Sequence, residues 1–227
     1  MAGAARGEVT GEHGGLGERQ GEGARDEIRM YGRAGLAEAP TPVTERAFDE
    51  YHLYTLPRPP YYESIRTNAA YFTVCNTKIW AMLEFRNSEK SQLGMPLPKG
   101  KVKVYRRDTD GRNEFIGEDA VDHTPKDETV RLYTGNAFDI VGERRQTNFR
   151  LDTSGRWADE SFEIKVRNHK KEAVEVRVVE HMYRWIQWQV AVKSMTSAKK
   201  DARTIEFRPT IPPGGEAVIT YTVHYSW

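Results

Sequence analysis

The chain has 227 residues, with 34 basic side chains against 33 acidic ones, a net charge of +1 and 38% apolar residues. That length suffices for one large domain or two of about 100 residues each. The charge balance favours no polyanion as partner, and basic residues alternate with acidic ones, as in FEIKVR and VEVRVVE, rather than forming the clustered stripe of a nucleic-acid binder. No apolar run reaches the ~18 residues that would cross a bilayer as a helix.

The first stretch, MAGAARGEVTGEHGG, lacks the apolar core of a secretory signal, so the sequence as written is not expected to be exported by that route. Ten of the chain's 19 glycines fall between Gly3 and Gly35, interspersed with Glu and Arg. A segment so poor in apolar surface cannot offset its chain entropy. Residues 1–45 are therefore expected to form a flexible tail that becomes ordered only against a partner. Neighbouring copies of the chain are the simplest such partner, giving a homo-oligomer or filament in which the tail adds as a strand or clasp.

From Arg46 the texture changes to short runs of β-forming residues separated by turns every 8 to 12 residues or so, the pattern of a sandwich or barrel. FDEYHLYTL is one such run, closed by PRPP at Pro57 to Pro60. In AYFTVCNTKIWAMLEF, Ile79, Ala81, Leu83 and Phe85 share one face, a period of two. The lone cysteine, Cys75, can make no internal disulfide and is read as a small buried hydrophobe. KVKVYRRD and RNEFIGED flank Thr109-Asp110-Gly111, a short link suited to a hairpin. These runs make up a first β lobe over residues 46–126.

Alternation is clearest in residues 127–227. TVRLY and the run from Asp139 to Phe149 open the series. Phe162, Ile164 and Val166 then point one way, and Val174, Val176 and Val178 return after a turn at Asn168 to Glu172. Ile186, Trp188, Val190 and Val192, next Ile205 and Phe207, and finally Ala217 to Tyr225 continue the pattern. Seven strands in about 100 residues fit an immunoglobulin-like sandwich. The fold class expected is all-β: a Gly-rich tail, a smaller β lobe and an immunoglobulin-like β-sandwich.

Three stretches merit testing as sites. Asp108 to Asn113 places oxygen ligands at alternate positions as a calcium loop does, but Gly111 stands fourth rather than sixth and Asp119 replaces the closing Glu, so a hairpin turn is expected. Glu118, Asp119, Asp122 and His123 gather three carboxylates and an imidazole. Asp119, Asp122 and His123 could serve a metal-dependent enzyme, or the stretch could be a polar connection whose side chains satisfy loop amides. Tyr183, Arg184 and Trp185 are the residue types favoured at binding hot spots and form a candidate interaction surface, with core or edge packing as the alternative. No G-x-S-x-G elbow, H-E-x-x-H or phosphate-cradling glycine loop occurs, and no cofactor is expected.

At LGMPLPKGKVKVYRRDTDG, FIGEDAVDHTPKDE and GNAFDIVGERRQTNF the chain resembles an uncharacterised bacterial family, a domain of unknown function related to the C-terminal part of mucoidy-inhibitor-like proteins. The resemblance extends to FDEYHLYTLPRP, EIKVRNHKKEAVEVRVVEH and DARTIEFRPTIPPGGEA, while PYYESIRTNAAYF looks shortened against the family's pattern. Members of that family are typically longer and exported, which implies an envelope or extracellular setting. The resemblance brings no catalytic residues. The function expected is therefore a non-enzymatic β-sandwich protein acting in binding or self-assembly at the cell envelope, the alternative being the metal-dependent enzyme.

Overall fold

In the computed structural model, residues 25–32, 42–43, 48–56, 63–70, 76–91, 93–108 and 110–227 are described. Cys75, Thr109 and most of the expected tail lie outside them. In chain order the strands are β1 (Arg25–Gly32), β2 (Pro42–Val43), β3 (Phe48–Thr55), β4 (Lys78–Arg86), β5 (Gly100–Arg107), β6 (Asn113–Val121) and β7 (Thr129–Asp152). They continue as β8 (Trp157–Asn168), β9 (Val174–His181), β10 (Trp188–Lys193), β11 (Ser197–Asp201), β12 (Thr204–Phe207), β13 (Thr210–Ile211) and β14 (Glu216–Ser226). Two short 3-10 turns, Glu63–Arg66 and Glu89–Ser91, are the only helical segments among the described residues, and no described helix is long and apolar enough to cross a membrane.

The protein is an all-β sandwich with two sheets. A small sheet runs β2-β1-β5-β6, and a large one runs β10-β14-β8-β7-β4-β3-β9-β12-β11, with β13 also on β9. The alternation that predicts these strands is the alternation that buries them. Along β8 every second residue faces inward, with Phe162, Ile164 and Val166 all buried. Val174, Val176 and Val178 of β9 and Ile219, Tyr221, Val223 and Tyr225 of β14 supply other sides of the same core. Each such aliphatic side chain contributes about 1.5–3 kcal/mol when fully buried.

A second core forms under the small sheet from Leu83, Phe85, Leu97, Val102, Val104, Val121, Val130 and Leu132. β4 and β7 belong to both: Ile79 and Ile140 lie in the main core, while Leu83, Phe85, Val130 and Leu132 lie in the second. TVRLY and the run from Asp139 are thus not two strands but parts of one 24-residue strand. Its first half pairs with β4 and its second half with β8.

Three expectations are corrected here. Arg25–Gly32, assigned to a tail needing another copy, pairs along its whole length with β5 of the same chain, in a register that sets Ile28 opposite Val104 and Met30 opposite Val102. Covering the edge of β5 from within the chain removes an open template for pairing. β3 and β4, expected in the first lobe, are strands of the large sheet, because β3 lies parallel to β9 and β4 antiparallel to β7. Ile186, read as the start of a strand, lies in an irregular connection over residues 182–187, and β10 begins only at Trp188. A bulge between Val190 and Val192 then turns Val192 outward, where it is 65% exposed.

Candidate functional site

The carboxylate site weighed as the alternative does not assemble. Asp119 accepts the backbone N–H of Tyr133 on one oxygen (2.8 Å) and that of Ala120 on the other (2.7 Å). Asp122 accepts the N–H of His123 (2.9 Å), and His123 Nδ1 faces the N–H of Lys99 at 3.3 Å. The backbone N–H of His123, and then Lys99, holds the Asp122 carboxyl below the usual carboxylate range. Each group serves the local backbone, which is the structural alternative weighed above. Among the described residues no group of three His, Cys, Asp or Glu could hold a metal ion. The hairpin at Asp110-Gly111 forms as expected, closed by Gly111 N–H to Asp108 O (2.8 Å).

Tyr183, Arg184 and Trp185 do not form an exposed surface. Arg184 is buried, its Nε and Nη2 donating to the two oxygens of Glu160 at 2.7 and 2.6 Å. Its Nη1 donates to the carbonyls of Ile65 and Asn68 (2.8 and 2.9 Å). Trp185 is half-buried, with the guanidinium of Arg66 3.5 Å above its ring. Tyr183, also half-buried, has its ring beside that of His181. Arg184 and Trp185 thus serve to dock residues 63–70 of the same chain.

Beside this clamp lies a second buried ion pair. Arg144 Nε donates to both oxygens of Glu180 (3.1 and 3.0 Å), and the Tyr221 hydroxyl donates to the same carboxylate. Burial pulls the Arg144 pKa down, but Glu180 and Tyr221 outweigh it and raise it overall. Sequence reasoning missed this cluster although the signal was present. Arg144, Glu160 and Glu180 continue the inward rows of Ile140, Phe162 and Val178 at a spacing of two. The cavity beside the cluster measures about 10 Å³, room for one water at most, so it is closed to a ligand.

Among the described residues a cleft of about 560 Å³ lies between the small sheet and the large one. Its volume falls within the roughly 300–1,000 Å³ of ligand pockets. β3 contributes Glu50, Tyr51 and His52, the small sheet Arg106 and Ile116, and the turn after β8 Lys170 and Glu172. β4 adds Ala81, Met82 and Leu83, and the irregular middle of β7 adds Thr134 to Asp139.

Local irregularities aim these residues. In the β5–β6 ladder Val104 pairs with Gly117 and Tyr105 with Phe115, so Ile116 bulges out. In the β4–β7 ladder Ala81 pairs with Gly135 but Met82 with Tyr133, leaving Thr134 as the extra residue. Gly135 has φ +148, a conformation that only glycine adopts freely, and a Cβ there would meet open space, so backbone geometry is what demands it. Further on, Ile79 pairs with Ala137 and Lys78 with Val141, and Phe138 and Asp139 intervene before Ile140 pairs with Asn168, as β7 passes from β4 to β8. Bulges of this kind re-aim side chains and recur beside functional sites.

The two walls are held close at Gly117, where a Cβ would stand 2.3 Å from the carbonyl oxygen of Thr134. The turn after β8 is fixed by buried Asn168, whose amide donates to the carbonyls of Glu172, Ile211 and Pro212 and whose oxygen accepts the N–H of Lys170.

Charges in the cleft are largely paired. Arg106 Nη2 reaches Glu50 at 3.2 and 3.4 Å, and Lys170 Nζ lies 3.9 Å from Glu172. Burial first, and then the positive charge of Lys170, holds the His52 imidazole below its ordinary value of 6.5, so it is neutral at neutral pH. Phe138 is 94% exposed, and the side-chain oxygen of Asn136 is shielded from water with no hydrogen-bond donor among the described residues. No family model, curated protein or solved structure matches the chain.

Proposed function

We propose that the protein is a non-enzymatic binding module whose ligand occupies the cleft between the small and large sheets. The observation that carries this reading is the cleft itself, about 560 Å³ and lined from both sheets by side chains that strand irregularities turn towards it. The pairing of Glu50 with Arg106 and of Lys170 with Glu172 supports recognition over proton transfer, which needs a group poised to exchange its proton. The resemblance to an exported bacterial family supports an envelope or extracellular setting.

A fragment screen by amide NMR on the full chain tests the reading. Fragments of mixed chemistry should cluster at the amides of Glu50 to His52 and Thr134 to Asp139. If the fragments that bind leave those amides unmoved and gather elsewhere, the cleft is not the site.

A further inference from the structure

We infer that the cleft recognises a neutral saccharide, a step that rests on the cleft being a binding site. Three observations converge on that class. The first is Phe138, 94% exposed at the point where β7 leaves β4 for β8. An aromatic face carries partial negative charge and favours the polarised C–H groups of a flat apolar surface. One face of a sugar ring offers such a surface.

The second is a set of hydrogen-bonding groups that line the same cleft. The Asn136 oxygen lacks a donor, and no ion pair or hydrogen bond engages the Asp139 carboxylate among the described residues. The amide of Asn136 turns about a soft terminal torsion, so it can meet a donor that arrives from the cleft. Lys170, whose ammonium carries three N–H groups, adds donors on another side. Groups of both kinds around one space suit a ligand whose substituents donate and accept at once, as hydroxyls do.

The third is charge. The lining carboxylates Glu50, Asp139 and Glu172 stand against the cations Arg106 and Lys170, with His52 neutral, so the charges nearly cancel. A polyanion would meet the carboxylates, and a polycation would meet Lys170 and Arg106. A neutral ligand meets neither penalty.

The test titrates the full, isotope-labelled chain with maltohexaose, cellohexaose, xylohexaose and chitohexaose, and separately with hexa-arginine and polyglutamate. At least one neutral hexasaccharide should shift the amides of His52 and Ala137 to Asp139. Its affinity should hold when salt rises from about 0.05 to 0.5 M, because no screened ion pair contributes. Phe138→Ala should weaken it by about tenfold without changing the melting temperature, since the ring lies in water. Asn136→Ala should weaken it as well.

Binding that survives both substitutions, or that collapses with salt, overturns the inference. If hexa-arginine or polyglutamate moves those amides and no saccharide does, the saccharide class is wrong while the cleft remains a binding site. If no probe moves them, the saccharide inference fails, and the fragment screen decides the cleft independently.

Discussion

Replacing Arg184 by Met tests whether the sandwich depends on its buried charges. Arg184 and Glu160 have side chains only 3% and 5% exposed, joined by two short hydrogen bonds. Arg184→Met leaves the Glu160 carboxylate in the interior with Gln146 Nε2, at 2.7 Å, as its remaining side-chain partner. Breaking a buried pair in this way costs about 3–5 kcal/mol, because the surviving charge is neither hydrated nor neutralised. At roughly 2–4 °C per kcal/mol for a chain of this size, the melting temperature should fall by about 6–20 °C.

Glu160→Leu combined with Arg184→Met removes both charges, and that double variant should recover much of the loss, since apolar replacements of a buried pair are often neutral. The clamp on the Ile65 and Asn68 carbonyls is absent from both variants. Amide exchange within residues 63–70 should therefore be faster in each, whatever the global stability. Urea unfolding followed by circular dichroism, with hydrogen exchange alongside, reads both effects. A loss below about 1 kcal/mol in the single variant would place the pair among solvated surface pairs and refute the reasoning. So would a double variant no more stable than the single.

Two further outcomes are expected. Gly117→Ala should destabilise the protein by about 1–3 kcal/mol and shift the amides of β6 and the middle of β7, because the obstacle 2.3 Å from the new Cβ is the backbone oxygen of Thr134; a urea midpoint equal to the parent's would show that the two strands are not in close approach. Burial, followed by Glu180 for Tyr221 and Glu160 for Tyr225, raises both phenols well above their ordinary value of 10. A pKa raised on folding gives stability that is complete below the unfolded value and is lost as pH rises towards the folded one. In an alkaline titration read by phenolate absorbance these two should ionise only as the chain unfolds, and full ionisation of all 11 tyrosines with native circular dichroism retained would contradict this.

Much of the main sandwich is legible in the sequence because its strands face water on one side. Phe162, Ile164 and Val166 against Glu163, Lys165 and Arg167 announce β8, and the row from Ala217 to Tyr225 announces β14. β1 is not legible, since two apolar positions among Arg, Asp and Glu give too little period to outweigh the glycines around them. The 24-residue β7 is divided at Gly135 and Asn136 in a sequence reading, because turn residues normally end strands. Here they mark a bulge within one strand. The cleft was illegible for a related reason. Its residues are brought together by pairings between distant strands and by extra residues in two ladders, neither of which leaves a local motif. The acidic cluster around Asp119 is the opposite case, because its reading as a polar connection that satisfies loop amides agrees with the backbone N–H groups that Asp119 and Asp122 accept; proximity in sequence along an extended strand and its turn does not make side chains converge.

The parallel pairing of β3 with β9, which sets His52 beside Val176, also fixes an order of events during synthesis. β3 leaves the ribosome about 120 residues before its partner, a delay of roughly 6–24 s at ~5–20 residues per second. Through that interval one side of β3 has no strand to pair with, and an unpaired side is a template for another chain. Asp49 and Glu50, both exposed on β3, place charge where such an encounter would begin. A nascent chain that stalls before Val174 would therefore present β3 as the open flank of the four strands β8-β7-β4-β3, and expression that outruns chaperone capacity should yield aggregates built on β3.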